Sequence, residues 1–239
     1  MAEASLTRIN KYLSEVGFCS RRKADKLIEE GRVTLNGAVP EVGTKVAPGD
    51  EVRVDGNLVG ASKEAPVYIA FNKPVGIVCT TDTRVEKDNI ISYINYPTRI
   101  FPIGRLDKQT TGLLLLTNDG DLHHYLTHPS HMVAKDYEAI IEGKISYNQR
   151  KKLKRGIYIG YKEYGKAEII KQETLKGRSN VQLRLRQGKK REIRRIFFRL
   201  KIKLLSLKRI GYSNLKLGNL RVGEYRELNK KEIKSLYET

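Results

Sequence analysis

The chain has 239 residues, 39% of them apolar, with 46 Lys and Arg against 27 Asp and Glu, a formal net charge of +19. The length allows one large domain or a medium domain with a small companion. A charge so far above the roughly 2–8 units that solubility asks of a small domain points first to a polyanion, since each neutralised phosphate releases condensed counterions. An anionic membrane is the second candidate, disfavoured because no apolar run approaches the about 18 residues of a spanning helix and no strongly amphipathic basic anchor is present. The third is a generally basic soluble protein. Cys19 and Cys79 lie far apart and give neither a disulfide framework nor zinc spacing. The start, MAEASLTRINKY, lacks an apolar signal core, so a reducing cytoplasm is expected.

Residues 6 to about 58 read as one small unit. Leu6, Ile9 and Leu13 recur at helical spacing, and Gly17 can end that helix. Ser20 can cap a second helix whose stripe is Ala24, Leu27 and Ile28, with Gly31 as its stop. Short strands follow around Val33, Leu35, Val52 and Val54, separated by the turns Asn36-Gly37, Pro48-Gly49-Asp50 and Asp55-Gly56. The segment GNLVGASKEAPV reads as a linker, dividing the chain into residues 1–62 and 63–239.

Beyond Val67, strands are expected at Tyr68–Phe71, Gly112–Leu116, Tyr137–Ile141, Ile157–Ile159, Ala167–Ile170, Val181–Leu185 and Leu204–Leu207. Helices are expected near Gly120–Thr127, Ser146–Arg155, Lys190–Arg199 and Asn229–Tyr237. Irregular helix spacing and frequent hairpin signals make this an α+β domain, not a regular βαβ winding.

No metal, nucleotide or serine-hydrolase signature appears. His124 and His128 stand at i,i+4 within the cluster His123, His124, His128 and His131, but no Glu follows in the zinc-protease pattern and no Cys is nearby. Neither a metal nor a cofactor is expected. In FPIGRLDKQTTGLLLLTNDGDL, a turn bearing Arg105, Asp107 and Lys108 leads into the apolar strand Leu113–Leu116. Taken alone, Asp107 reads first as an ordinary turn aspartate. The alternative is a carboxylate held ionised by flanking cations, able to act as nucleophile, base or stabiliser of an oxocarbenium-like sugar. In RLRQGKKREIRRIFFRL, Lys189, Lys190, Arg191, Arg194 and Arg195 crowd a turn and a helix start, with Ile193, Ile196, Phe197 and Leu200 on the buried face. Phosphate contact is the better reading of such density, a solvated basic face the other. Tyr137 follows Lys135 at a strand start, where a ring packs in the core or stacks on an exposed base.

Through these segments the sequence resembles the RsuA/RluB/RluE/RluF family of pseudouridine synthases over nearly its whole length. TRINKYLSEVGFCSRRKADKLIEEGRVTLNG looks like an S4 RNA-binding domain. FNKPVGIVCTTD looks like the opening catalytic strand and loop, and IFPIGRLDKQTTGLLLLTNDGDL carries the G-R-L-D signature. KDYE corresponds to the tyrosine motif and GKKREIRRIF to the basic motif.

The resemblance implies an S4 domain followed by a catalytic domain on a mixed, largely antiparallel bent β-sheet with flanking helices. It implies Asp107 as the catalytic aspartate, Arg105 beside the flipped nucleotide, Tyr137 stacked on the uracil and Arg194 paired with Asp107. RNA contacts are then expected from Arg8, Lys11, Arg21, Arg22 and Lys23 in the first unit, and from Lys73, Lys108, Lys189, Lys190, Arg191 and Arg195 in the second. Glu192 stands where the family often has Gln. The implied reaction moves one uridine's base from N1 to C5 linkage in structured RNA, at a cost of a few kcal/mol for unstacking the base. Large-subunit ribosomal RNA is the first substrate, a transfer RNA anticodon stem-loop the second, and a non-catalytic ribosome assembly factor the remaining reading. A cytoplasmic monomer without membrane or small-molecule partners is expected.

Overall fold

A computed structural model describes residues 6–60, 64–81 and 86–238. The chain folds as two units, one of residues up to Pro66 with Pro97–Arg99, the other Val67–Tyr96 with Ile100–Thr239.

The first unit runs β1 (Thr7–Arg8), α1 (Ile9–Glu15), α2 (Arg21–Glu29), β2 (Val33–Leu35), β3 (Lys45–Val46), β4 (Val52–Val54) and β5 (Asn57–Leu58). Its core joins Ile9 and Leu13 of α1, Ala24, Leu27 and Ile28 of α2, and Val33, Val46, Val52 and Val54. Ser20 caps α2 by accepting from Lys23 N. Leu6 does not belong to the helical stripe: Arg8 is extended at ψ 135°, so α1 begins one residue later and Leu6 stays exposed. The predicted linker also begins late, because Asn57–Leu58 pairs with β4 as the third strand of a sheet ordered β2-β4-β5; Ala61, Ser62 and Lys63 lie outside the described residues.

The second unit contains β6 (Tyr68–Lys73), α3 (Ile90–Ile94), β7 (Phe101–Ile103), β8 (Thr111–Thr117), α4 (Gly120–Thr127), β9 (Lys135–Glu142), α5 (Tyr147–Arg155), β10 (Ile157–Gly160), β11 (Glu163–Gly165), β12 (Glu168–Leu175), β13 (Arg178–Leu185), α6 (Glu192–Arg199), β14 (Leu204–Tyr212), β15 (Leu215–Lys216), β16 (Tyr225–Glu227) and α7 (Lys230–Leu236). The main sheet runs β12-β13-β9-β14-β8-β6-β16, with β7 paired to β8 and β15 to β14. Only the β14–β8 contact is parallel among these strands. The mixed, largely antiparallel α+β architecture is the one expected.

Strand β8 explains its own leucine run. Leu113 and Leu115 pack into one core cluster, Leu114 and Leu116 into another, and all four are buried. A central strand covered on both faces needs no polar alternation, and each buried leucine contributes about 1.5–3 kcal/mol. Gly112 sits where β8 meets β14: a Cβ there would stand 2.2 Å from Arg209 O, and its φ of +100° disfavours any side chain. Strand pairing then aligns Gly112, Arg209, Tyr137 and Leu183 in one row across β8, β14, β9 and β13. That row fixes which segments meet above the sheet.

Candidate active site

The turn before β8 carries Asp107. Its backbone closes through Thr110 N to Asp107 O at 2.9 Å, and Gly76 N donates to Lys108 O at 2.9 Å. Lys73, expected among the RNA contacts, is instead 0% exposed at the end of β6. Its ammonium donates to Pro74 O at 2.8 Å, Thr110 O at 3.0 Å and Lys108 O at 3.4 Å. No phosphate can reach it, and burial pushes its pKa down, with Cys79 and Asp107 opposing. Lys73 is thus a buried clamp on the Asp107 turn. Cys79 is buried under the same turn, accepting from Leu106 N at 3.4 Å. Asp82, the last residue of the opening catalytic segment, lies outside the described residues.

Arg194, in the first turns of α6, crosses to this turn. Its Nε stands 3.4 Å from Asp107 Oδ2. Its Nη2 donates to Gln109 O and to Thr110 Oγ1, each at 3.1 Å. Arg191, in left-handed conformation at the N-cap, brings a second guanidinium to 3.7 Å from the same carboxylate oxygen. Asp107 therefore sits between two arginines, of which Arg194 is the more buried.

These groups border a cavity of about 440 Å³, lined also by Arg105, Tyr137, Lys189 and Glu192. Arg105 is exposed and makes no hydrogen bond or ion pair with the described residues. Tyr137 is half-buried between two core clusters, with its ring at the cavity. Lys108 is exposed and pairs with Glu86 at 3.1 Å. Lys190 is exposed, and Lys189 donates its ammonium to Tyr164 O. Arg195 does not present a free guanidinium to RNA: it donates to Ile159 O at 2.9 Å, Gly160 O at 2.8 Å, Lys190 O at 3.1 Å and Glu163 Oε2 at 2.6 Å. Its phosphate role is corrected to that of an anchor between α6 and the β10–β11 hairpin.

Glu192 is buried in the first turn of α6. One carboxylate oxygen accepts from Lys166 N and the other from Lys189 N, both at 3.2 Å. The two donors lie at different oxygens, and a glutamine in this pose would turn its NH2, a donor, toward one of them. Burial pushes the Glu192 pKa up, with the two backbone donors opposing.

Two cations under the cavity were missed in the sequence. Arg209 is 1% exposed, donates Nε to Leu113 O at 2.7 Å, and leaves Nη2 buried with no hydrogen-bond partner among the described residues. Lys135 donates to Val133 O at 3.0 Å. Both line the cavity and face the fully buried ring of Tyr212, at 4.9 Å and 5.2 Å. An irregularity between Arg209 and Gly211 creates this arrangement. It leaves Arg209 opposite Tyr137 and Tyr212 opposite Lys135, so all four side chains share one face, as a β-bulge allows. Burial and the Arg209 charge lower the Lys135 pKa to about 8, with Glu192 opposing.

In the first unit, Arg8, Arg21, Arg22 and Lys23 are exposed, and Lys11 stands 3.4 Å from Glu15. Arg21, Arg22 and Lys23 occupy the first turn of α2, where the helix dipole disfavours cations. Among the described residues, no group of three or more His, Cys, Asp or Glu converges as a metal site. No helix among them is long and apolar enough to cross a membrane.

A small unit with a cationic helix start, followed by a mixed sheet with an aspartate beside two arginines at a cavity, is the arrangement expected of an RNA-modifying enzyme with an accessory binding domain. The RNA pseudouridylate synthase family matches residues 67–198 and the S4 domain family residues 7–52. The chain is 39% identical over 235 residues to the ribosomal large subunit pseudouridine synthase B of Bacillus subtilis (strain 168), covering 97% of this chain and 96% of that protein. It is 38% identical over 238 residues to the dual-specificity RNA pseudouridine synthase RluF of Escherichia coli (strain K12), covering 99% of this chain and 80% of that one. A crystal structure of a pseudouridylate synthase superposes with a TM-score of 0.68 at 31% identity, covering 96% of this chain and 99% of that one. The chain belongs to the RNA pseudouridylate synthase family, with an N-terminal S4 domain, and isomerises uridine in RNA.

Proposed function

We propose that Asp107 is the catalytic carboxylate, that the substrate is a uridine of large-subunit ribosomal RNA, and that the enzyme works as a cytoplasmic monomer. The observation that carries the first reading is Asp107 held at the cavity between Arg194 and Arg191. The named activity of the Bacillus subtilis relative favours the ribosomal substrate over a transfer RNA.

The target nucleotide leaves its stack and enters the cavity, since its reacting atoms are unreachable inside a helix. The N1–C1′ bond breaks with its electron pair going to the base. Asp107 engages the nucleotide while the base turns, C5 bonds to C1′, C5 gives up its proton and N1 gains one. The sum is an isomerisation that needs no external group. Tyr137 stacks on the base, Arg105 holds the nucleotide at the mouth, and Lys135 with Arg209 sets positive charge beneath a base that is anionic while detached. The S4 unit, with Arg8, Lys11, Arg21, Arg22 and Lys23, contributes affinity, as do Lys189 and Arg191 at the cavity and, next to cavity residues in the chain, Lys108 and Lys190.

Pseudouridine mapping of total RNA from cells with and without the protein tests this. One large-subunit site should disappear with the protein. Loss confined to transfer RNA, or no loss, contradicts the substrate assignment.

A further inference from the structure

The β10–β11 hairpin carries an aromatic surface that the catalytic cavity does not use. Tyr158, Tyr161 and Tyr164 are 45%, 89% and 56% exposed. Tyr158 and Tyr164 face each other across the hairpin with ring centroids 5.5 Å apart. Arg199 lies 5.5 Å from the Tyr158 ring and Arg195 lies 5.2 Å from the Tyr161 ring. Three exposed rings on one short hairpin shield no core.

The turn makes the arrangement more telling. Tyr161 and Lys162 are its two central residues, at φ +53° and +58°. A two-residue hairpin loop with both positions left-handed favours Asn-Gly, and an ordinary residue there costs about 1–2 kcal/mol. A tyrosine thus occupies a strained position and still points its ring at solvent. The hairpin is nonetheless rigid, because Arg195 fastens Ile159, Gly160 and Glu163 to α6. It also adjoins the cavity rim, where Lys189 bonds Tyr164 O and Glu192 accepts from Lys166 N.

We propose that this hairpin is a stacking platform for unpaired bases of the RNA that flank the target uridine. Sequence-tolerant base stacking on aromatic rings beside cations is the way proteins hold single strands. The occupant is a polyanion because Arg199 and Lys162 flank the rings, and the acid of the turn, Glu163, is taken up by Arg195. Anchoring the hairpin in advance lowers the ordering cost of binding. The inference rests on RNA being the substrate but not on the role of Asp107.

The test uses the full-length protein, Tyr161→Asn, and the double variant Tyr158→Ser with Tyr164→Ser. The probes are an oligouridylate of about 12 nucleotides, within the span of a single-strand site, a length-matched abasic ribose-phosphate oligomer, and a blunt RNA duplex. Tyr161→Asn should melt at or above the wild-type temperature, because Asn suits the turn, and still bind oligouridylate at least about fivefold more weakly. The double variant should lose more, with abasic-oligomer and duplex binding unchanged and the same turnover at saturating RNA. Oligouridylate affinities equal to wild type overturn the platform. So does a loss of the same size on the abasic oligomer, which would make the surface a phosphate contact. So does a wild-type dimer in sedimentation that Tyr161→Asn converts to monomer, which would make the rings a self-association surface. Failure of the wild type to bind any of the three RNAs would instead contradict the RNA reading itself.

Discussion

Arg194 grips the Asp107 turn at three points: its Nε is 3.4 Å from Asp107 Oδ2, and its Nη2 donates to Gln109 O and Thr110 Oγ1 at 3.1 Å each. One side chain of α6 therefore holds the loop by two hydrogen bonds and brings its charge to the carboxylate. Arg194→Ala should lower the single-turnover rate at saturating RNA by about 100-fold, the scale of removing one preorganised charged group from a site. Lys190→Ala, at an exposed cation, should leave that rate unchanged. It should make log Kd against log salt shallower by about 0.7–0.9, the contribution of one phosphate contact. If Arg194→Ala changes only the salt slope, Arg194 is a phosphate contact and not the partner of Asp107.

Lys135 gives the reaction a predicted alkaline limb. The groups facing it are Arg209 and Tyr212 of β14, Tyr137 of its own strand and Glu192 of α6. With its pKa lowered to about 8, Lys135 is charged at neutral pH and loses its proton as pH rises through that value. The saturated rate should then fall above pH 8. Lys135→Arg, which stays protonated, should remove the fall even if its maximal rate is lower. A wild-type rate that stays flat well above pH 8 excludes a role for the ammonium.

Lys73 separates a structural from a binding role. Lys73→Met leaves the carbonyls of Pro74, Lys108 and Thr110 short of a donor, and an unsatisfied buried acceptor costs about 1–3 kcal/mol. Relief of the buried charge offsets part of this. The melting temperature should drop by about 4–8 °C for a net loss near 2 kcal/mol, and turnover should fall because the Asp107 turn loosens. An unchanged melting temperature with weaker RNA binding would restore Lys73 as a phosphate contact.

Much of the fold was legible because local signals agreed. Ser20 before an apolar stripe marked α2, the leucine run marked β8 as an apolar strand, and Val181–Leu185 marked most of β13. The misses share a different cause. Strand β16 is exposed at all three residues and exists only because β6 offers it an edge. Strand β7 contains Pro102 and survives at an edge of β8. At the site, Asp107 and its arginines stood in recognisable segments. Arg209 did not, and Lys135, which opens the KDYE segment, showed no role there, because only the irregularity in β14 turns the two to one face. Lys73 and Arg195 read as surface cations because sequence does not show that carbonyl oxygens surround them.

Tyr137 lies both against the core and at the cavity, so activity alone cannot define its part. Tyr137→Phe should retain most turnover. Tyr137→Ala should lose about 1–3 kcal/mol of the stacking contribution, with a melting temperature within a few degrees of wild type. An Ala variant that melts early yet turns over normally while folded would make Tyr137 a packing residue.

The most direct measurement is the single-turnover yield of pseudouridine by Asp107→Asn on the RNA that wild type modifies, with binding followed in parallel. Asn keeps the shape of the side chain and removes its charge. With Asp107 as the catalytic carboxylate, no detectable product is expected while RNA affinity stays near that of wild type. Product formed at a rate comparable to wild type would contradict it.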